Sequence, residues 1–143
     1  MEENYDNEMK IEFISNPSNE ALARISVASF VASLDPTIEE ISDIKTSVSE
    51  AVTNSIIHGY ENTKGFVTIK ARIVHKTIEI EVIDIGKGIE DIEKAKEALY
   101  TTKPELERSG MGFTIMESFM DEMQVKSTVG EGTTVFMKKT IKN

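Results

Sequence analysis

One segment most constrains what this chain can fold into: residues 37–60, TIEEISDIKTSVSEAVTNSIIHGY. Its apolar residues recur at three- and four-residue steps, which is the period of a helix with one buried face. We therefore predict one long helix here, with Asp35 or Thr37 capping its start and Gly59 near its end. The rest of the chain has to pack against the apolar face of this helix.

Three polar residues of the predicted helix, Glu50, Asn54 and His58, follow one another at four-residue spacing. Residues at this spacing project from nearly the same side of a helix. A carboxylate and an amide one turn apart on an otherwise apolar helix indicate either a solvated polar edge or a functional site. The motifs elsewhere in the chain favour the functional site.

Composition limits the class of protein. The chain has 143 residues, 39% hydrophobic and 29% charged, which suits a single domain with its own core. The absence of cysteine excludes disulfides and thiolate metal sites, and the presence of only two histidines argues against a zinc site. The net charge of −9 argues against direct binding to nucleic acid or to an anionic membrane.

The sequence also bears on location. No apolar run approaches the ~18 residues of a membrane span. The first residues, MEENYDNEMK, are polar and acidic, unlike a signal or transit peptide, so we expect a cytoplasmic protein.

Alternating and helical patterns define the remaining elements. Strands are predicted at 9–15, 66–74, 77–85, 123–129 and 133–141, helices at 20–34, 90–100 and 112–120, and a mobile loop at 101–112. Residues 1–8 are assigned to a flexible leader and residues 9–143 to a single domain. This order predicts an α+β sandwich, a mixed, mostly antiparallel sheet with helices on one face. The other face is then solvated or meets a partner.

Two local predictions follow from the same patterns. The first helix is expected to turn its larger apolar residues to the core and Arg24 to solvent. These core residues are Leu22, Ile25, Phe30 and Val31. His75 and Lys76 are expected at the tip of a tight hairpin.

Three glycine clusters fall in loops at the ends of predicted elements, at residues 84–88, 110–112 and 130–133. Glycine lets the backbone adopt positive φ and lets a ligand approach closely, although each cluster alone is also typical of a turn. The cluster at 110–112 precedes a helix, whose free N–H groups and dipole attract phosphate oxygens. Lys103 and Arg108 add positive charge in the loop before it. The sequence therefore predicts a phosphate site, without the GxxxxGK[ST] loop.

The helix residues fit this chemistry. Magnesium prefers oxygen ligands, so the Asn54 side-chain oxygen and phosphate oxygens would suffice to hold it. Glu50, about 6 Å back along the helix, can accept a proton from an attacking hydroxyl. Asp84 at a strand end offers an acceptor for the exocyclic amine of adenine, or else simply begins a turn.

Four motifs occur in the order typical of the GHKL ATPase/kinase superfamily. They are Glu50-x-x-x-Asn54, Asp84-x-Gly86-x-Gly88, Gly110-x-Gly112 and Gly130-x-Gly132-Thr133. The segments EAVTNSIIHGY and TTKPELERSGMGFTIMESFMDE further resemble the family of sporulation anti-sigma F factors. This resemblance extends over residues 9–139.

The resemblance implies a Bergerat (GHKL) two-layer sandwich that binds ATP and Mg²⁺. Asn54 would hold the magnesium ion, and Glu50 would be the catalytic base. The nucleotide would be bound by Asn54, Asp84, Gly86, Gly88, Lys103, Ser109, Gly110, Met111, Gly112 and Thr133. Arg24 and Arg108 match residues that contact protein partners in the family.

The resemblance also implies a homodimeric serine kinase that inhibits a sporulation sigma factor and phosphorylates a serine of an anti-anti-sigma factor. The first helix and the uncovered sheet face are candidate surfaces for dimerisation. Two alternatives stay open, a nucleotide-gated binding module with little catalysis and a related stress-response anti-sigma kinase. A histidine kinase fragment is disfavoured, because neither His58 nor His75 lies on a dimerising helical hairpin.

Overall fold

The structure, a computed structural model, describes residues 4–61, 63–87 and 112–143. Strands within these residues are β1 (Asn7–Ile14), β2 (Phe66–Val74), β3 (Thr77–Asp84), β4 (Glu122–Thr128) and β5 (Gly132–Thr140). The α-helices are α1 (Asn19–Val31), α2 (Ile38–Asn54) and α3 (Gly112–Phe119). A 3₁₀ turn (Ala32–Leu34) follows α1, and a π-helical turn (Ser55–Gly59) follows α2.

The strands form one sheet in the order β1-β2-β3-β5-β4, and each pairing between described strands is antiparallel. Residues alternate along β2 and β3 between buried and half-exposed positions, because successive side chains point to opposite faces of a sheet. The buried face packs against the three helices in a single hydrophobic core. This arrangement confirms the predicted α+β sandwich, and the turn at His75-Lys76 confirms the predicted hairpin.

Helix α2 begins with a reciprocal cap. The Thr37 side chain accepts a hydrogen bond from the Glu40 amide at 3.1 Å, and the Glu40 carboxylate accepts one from the Thr37 amide at 2.9 Å. Of the two predicted caps, Thr37 is therefore the one used. Asp35 instead adopts a left-handed conformation (φ 52°) at the end of the 3₁₀ turn.

The predicted long helix changes type before it ends. Regular α-helix stops at Asn54, and the chain continues as a π-helical turn through Gly59. The prediction of one uniform helix over residues 37–60 is wrong in this respect. Such turns often occur at functional sites, since they move the backbone out of its usual helical path.

The prediction for the buried face of α1 is partly wrong. Leu22 and Ile25 are 52% and 59% exposed, whereas Ala23 and Val27 are fully buried. Val31 is buried as expected, and Phe30 packs at the edge of the core. Helix α1 carries two apolar stripes, and its packing against α2 selects the one with the smaller residues.

The start of the chain is more ordered than predicted. Strand β1 begins at Asn7, so residues 7 and 8, assigned to a flexible leader, belong to the sheet. Before them, the Asp6 amide donates to the Ile73 carbonyl at 2.8 Å, and Tyr5 stacks on Arg72. The predicted helix at 90–100 and most of the predicted loop at 101–112 lie outside the described residues. Among the described helices, none combines the length and apolarity that a membrane crossing requires.

Candidate functional site

Glu50 and Asn54 lie one turn apart on α2, and the first residue of α3 packs against both of them. A β-carbon built on Gly112 would lie 3.1 Å from Asn54 Nδ2 and 3.2 Å from Glu50 Oε2. Glu50 is only 9% exposed, and Gly112 is buried. The structure thus brings Glu50 and Asn54 of α2 next to Gly112, the last residue of the glycine cluster at residues 110–112.

The N-terminus of α3 makes the electrostatic potential beside Glu50 and Asn54 more positive. The first amides of a helix have no partner within the helix, and the helix dipole adds partial positive charge at the same end. In this protein the first turn of α3 lies beside the buried Glu50 carboxylate and the Asn54 side chain. An anionic group such as a phosphate can bind at this end of the helix.

The donor set fits magnesium better than a metal held by protein groups alone. Among the described residues, no cluster of three His, Cys, Asp or Glu side chains is placed to hold a metal ion. Asn54 would supply one neutral oxygen ligand, and phosphate oxygens and water would complete the shell. Magnesium typically binds in this way, through few protein ligands together with substrate phosphates.

Asp84 ends β3 and is buried, with 4% of its surface exposed. Three glycines let other backbone segments approach it. A β-carbon at Gly59 would lie 2.9 Å from Asp84 Oδ1, and one at Gly132 would overlap the Asp84 carbonyl oxygen. A β-carbon at Gly86 would in turn overlap the Gly59 carbonyl. The π-helical turn, the end of β3 and the start of β5 therefore meet at this carboxylate.

Burial raises the pKa of the Asp84 carboxyl above its ordinary value. Hydrogen bonds from the Gly86 amide, the Ser55 side chain and the Thr133 amide oppose this rise. The bond from Gly86 N to Asp84 Oδ1 is 3.0 Å long. A buried carboxylate held in a fixed orientation is a suitable acceptor for a ligand N–H group.

Tyr60 was not singled out from the sequence, yet it holds the strand end that carries Asp84. Its hydroxyl accepts a hydrogen bond from Ile85 N at 2.8 Å and donates one to the Phe66 carbonyl at 2.6 Å. A β-carbon at Gly65 would overlap the Tyr60 ring. An aromatic residue directly after the helix, with a glycine five residues later, was the available sequence signal.

A cleft of about 480 Å³ lies between α1 and α2, with Glu50 on its wall. Arg24 also lines this cleft, and its Nε donates to Glu20 Oε2 at 2.9 Å. The Ser49 hydroxyl donates to the same carboxylate oxygen. The expectation that Arg24 simply reaches solvent is therefore wrong, because its side chain is two-thirds buried and paired. Sequence reasoning missed Glu20 and Ser49.

The structure brings Glu50, Asn54 and Gly112 together. The Gly86 and Thr133 amides bond to Asp84 at the end of β3, and Arg24 lies on the cleft between α1 and α2. The remaining predicted site residues, Gly88, Lys103, Arg108, Ser109, Gly110 and Met111, lie outside the described residues.

The chain is similar to known proteins along most of its length. Residues 13–139 match the family model described as a histidine kinase-like ATPase domain. An anti-sigma F factor from Clostridium kluyveri is 62% identical over 135 residues, which is 94% of this chain and 95% of that protein. Another from Thermoanaerobacter pseudethanolicus is 64% identical over 137 residues, or 96% of both chains.

A solved structure supports the fold. The RsbU and RsbW domains of Rv1364c from Mycobacterium tuberculosis superpose with a TM-score of 0.68 at 18% sequence identity. The match covers 94% of this chain but only 32% of that longer chain. At this identity the likeness concerns the fold alone, and the fold is the GHKL-type α+β sandwich. Given the family match over most of the chain and relatives above 60% identity, the chain belongs to the anti-sigma F factor family within the histidine kinase-like ATPase domains.

Proposed function

We propose that this protein is an ATP-dependent serine kinase that also acts as an anti-sigma factor in the cytoplasm. It would bind and inhibit a sporulation sigma factor, and it would phosphorylate a serine of an anti-anti-sigma factor. The observation that carries this proposal is the contact of Gly112 with both Glu50 and Asn54. A proton acceptor beside a metal-binding amide and a helix N-terminus is what phosphoryl transfer requires.

In this proposal, ATP lies between Asp84 and the start of α3. The buried Asp84 carboxylate accepts a hydrogen bond from the exocyclic amine of adenine, and the phosphates extend toward Gly112. Asn54 holds Mg²⁺, which neutralises phosphate charge when it is bound. The other nucleotide-binding residues in the proposal are Gly86, Gly88, Lys103, Ser109, Gly110, Met111 and Thr133. The single domain of residues 9–143 would carry the whole site.

Glu50 is the proposed base for the transfer step. It accepts the proton of the acceptor serine hydroxyl as the serine oxygen bonds to the γ-phosphorus. The bond from that phosphorus to the β–γ bridging oxygen breaks, and ADP leaves. The burial of Glu50 supports this role, since a base shielded from water acts on the substrate rather than on solvent.

The test is a Glu50→Gln variant, assayed with labelled ATP and the anti-anti-sigma factor. We expect ATP binding to persist and transfer of label to serine to fall by about 10²–10⁴-fold, the usual contribution of a general base. Glu39→Gln, an exposed position in the first turn of the same helix, is the matched control. Transfer by Glu50→Gln at the full rate would refute the base assignment.

The exposed side of α1 favours a partner-binding role as well. Leu22 and Ile25 are apolar and largely exposed, and Arg24 lies on the cleft beside them. We assign this side to protein partners, together with Arg108. The alternative function is a nucleotide-gated binding module. Measuring the affinity for the sigma factor with ATP, with ADP and without nucleotide, alongside phosphate transfer, distinguishes this module from a kinase. Nucleotide-dependent affinity without measurable transfer would favour that module.

A second copy of the chain is the proposed partner of the uncovered sheet face. Ile14, Phe66 and Ile85 occupy neighbouring positions at one end of this face and are 41%, 54% and 75% exposed. An exposed apolar row across adjacent strands is typical of an interaction surface. A Phe66→Asp variant should sediment as a monomer, whereas the unchanged protein should sediment as a dimer. Equal sedimentation of the two would contradict this surface.

A further inference from the structure

One residue that lines the cleft between α1 and α2 carries a positive charge that has no role in the proposed chemistry. Lys45 lines this cleft together with Glu20, Arg24 and Glu50. It is partly buried, and within the described parts of the chain no ion pair or hydrogen bond joins its ammonium group to another side chain. Lys45 therefore offers an available positive charge inside a recess.

The other charged side chains that line the cleft already interact with neighbouring groups. Arg24 is paired with Glu20, and the Ser49 hydroxyl donates to the same carboxylate. Glu50 contacts the start of α3 from the other side and is the proposed base. An acidic group that enters the cleft would thus meet Lys45 as its available partner.

The spacing of Lys45 and Glu50 sets a register for such an entering segment. They lie five residues apart on α2, which corresponds to about 7.5 Å along the helix axis and about 140° around it, so they line opposite edges of the cleft. The straight distance between the two edges is therefore up to about 12 Å, and an extended chain advances about 3.3 Å per residue. A serine hydroxyl held at Glu50 places a side chain about two to four residues away in the sequence near Lys45.

We propose that this cleft receives the acceptor segment of the protein substrate, and that Lys45 selects segments with an aspartate or glutamate about two to four residues from the phosphorylated serine. This inference rests on the proposed kinase function. Lys45 then acts as a specificity-determining residue that contacts the substrate without taking part in proton transfer. A partly buried cation favours a carboxylate more strongly than one in open solvent does, because the surrounding dielectric is lower.

The experiment measures steady-state transfer to the full-length anti-anti-sigma factor by the full chain. We expect Lys45→Glu to raise the KM for the protein substrate at least tenfold, while kcat and the affinity for ATP stay within twofold. Lys64→Glu, an exposed lysine outside the cleft, is the matched charge-reversal control and should leave KM unchanged. Changing the substrate's acidic residue to lysine should restore most of the lost KM in the Lys45→Glu variant.

Several outcomes would overturn the inference. An unchanged KM for Lys45→Glu would do so, as would an acceptor serine with no acidic residue within about four positions. Failure of the reciprocal exchange to restore KM would also count against it. These results differ from failure of the kinase proposal itself, which would appear as Glu50-independent transfer or as no transfer by the unchanged protein.

Discussion

Gly112 and Asn54 are in direct contact, so close that a β-carbon at residue 112 would lie 3.1 Å from the Asn54 side-chain nitrogen. The same β-carbon would lie 3.2 Å from the Glu50 carboxylate oxygen Oε2. Because α3 starts at Gly112, its first turn opens directly onto these two side chains of α2. A glycine at residue 112 lets the helix start come this close to them without crowding.

The first prediction concerns this contact. A Gly112→Ala variant should fold, because the crowding can be relieved by shifts of a few tenths of an ångström in Asn54 and Glu50. These shifts disturb the proposed metal ligand and base together, so we expect ATP affinity to fall at least tenfold. Isothermal titration calorimetry measures the change. Ser118→Ala, an exposed position on the same helix, should bind ATP normally.

The second prediction concerns magnesium. ATP should bind the unchanged protein more tightly with Mg²⁺ than with EDTA. An Asn54→Ala variant should lose most of this difference, because the side-chain oxygen that would ligate the ion is gone. Titrations of both proteins under both conditions test this, with Ser42→Ala on the same helix as a control. Full magnesium dependence in Asn54→Ala would show that the ligand lies elsewhere.

The third prediction follows from the raised pKa of Asp84. Burial favours its protonated form in the folded protein. The contribution of Asp84 to stability is therefore fully present below its pKa in the unfolded chain, about 3.8. This contribution is lost as the pH rises through the pKa of Asp84 in the folded protein. Above the folded pKa the ionised carboxylate of Asp84 opposes folding. Asp84→Asn should consequently raise the Tm of the nucleotide-free protein at pH 7.

The same variant should bind ATP poorly. A hydrogen bond to a charged acceptor contributes about 1.5–3 kcal/mol, so we expect a loss of about tenfold or more in ATP affinity. Thermal melts between pH 7 and pH 4, with and without ATP, measure both effects. The Tm advantage of Asp84→Asn should shrink as the pH falls. An advantage that is the same at every pH would contradict the titration of Asp84.

The fourth prediction concerns Tyr60. Tyr60→Phe keeps the ring but removes the bonds to Ile85 N and the Phe66 carbonyl. Each hydrogen bond contributes about 0.5–1.5 kcal/mol to the free energy of unfolding, so we expect the loss of both to cost about 1–3 kcal/mol, which urea denaturation measures. ATP affinity should also fall, because Ile85 directly follows Asp84. Gly65→Ala should be destabilising as well, since a methyl group would collide with the ring. Normal stability of Tyr60→Phe would contradict this role.

The fifth prediction compares two buried serines on α2. The Ser47 hydroxyl is fully buried and has no hydrogen-bond partner within the described residues, whereas Ser49 donates to Glu20. Ser47→Ala should therefore be neutral or stabilise the protein by up to about 1 kcal/mol. Ser49→Ala should destabilise it by about 1–3 kcal/mol, since the bond is to a charged group. Urea unfolding of both variants tests the contrast, and equal effects would refute it.

Ser49→Ala should also weaken partner binding. Without the Ser49 bond, Glu20 loses one of its partners, and Arg24, which pairs with Glu20, is held less firmly on the cleft. Binding of the sigma factor should fall in Ser49→Ala and stay unchanged in Ser47→Ala. ATP affinity, measured in parallel, should be unaffected in both.

Helix α1 illustrates where sequence reasoning failed. Its pattern allows two apolar stripes, one through Leu22 and Ile25 and another through Ala23 and Val27. Hydrophobicity alone favoured the larger residues, yet the smaller ones are buried. Small residues let α1 pack closely against α2, and this choice depends on the neighbouring helix rather than on α1 itself. The end of α2 is similar, since no local pattern distinguished the π-helical turn from ordinary helix.

Local periodicity by itself determined the strands, the position of α2 and the one-turn spacing of Glu50 and Asn54, because these features depend on residues close together in the chain. It left the cap of α2 open between Asp35 and Thr37. Tertiary structure alone decided which distant segments meet. Gly112 reaches Glu50 and Asn54, and Gly59 and Gly132 reach Asp84, only because the helices pack on the sheet in one register. Contacts of this kind arise from packing between elements, and no periodicity within one element encodes them.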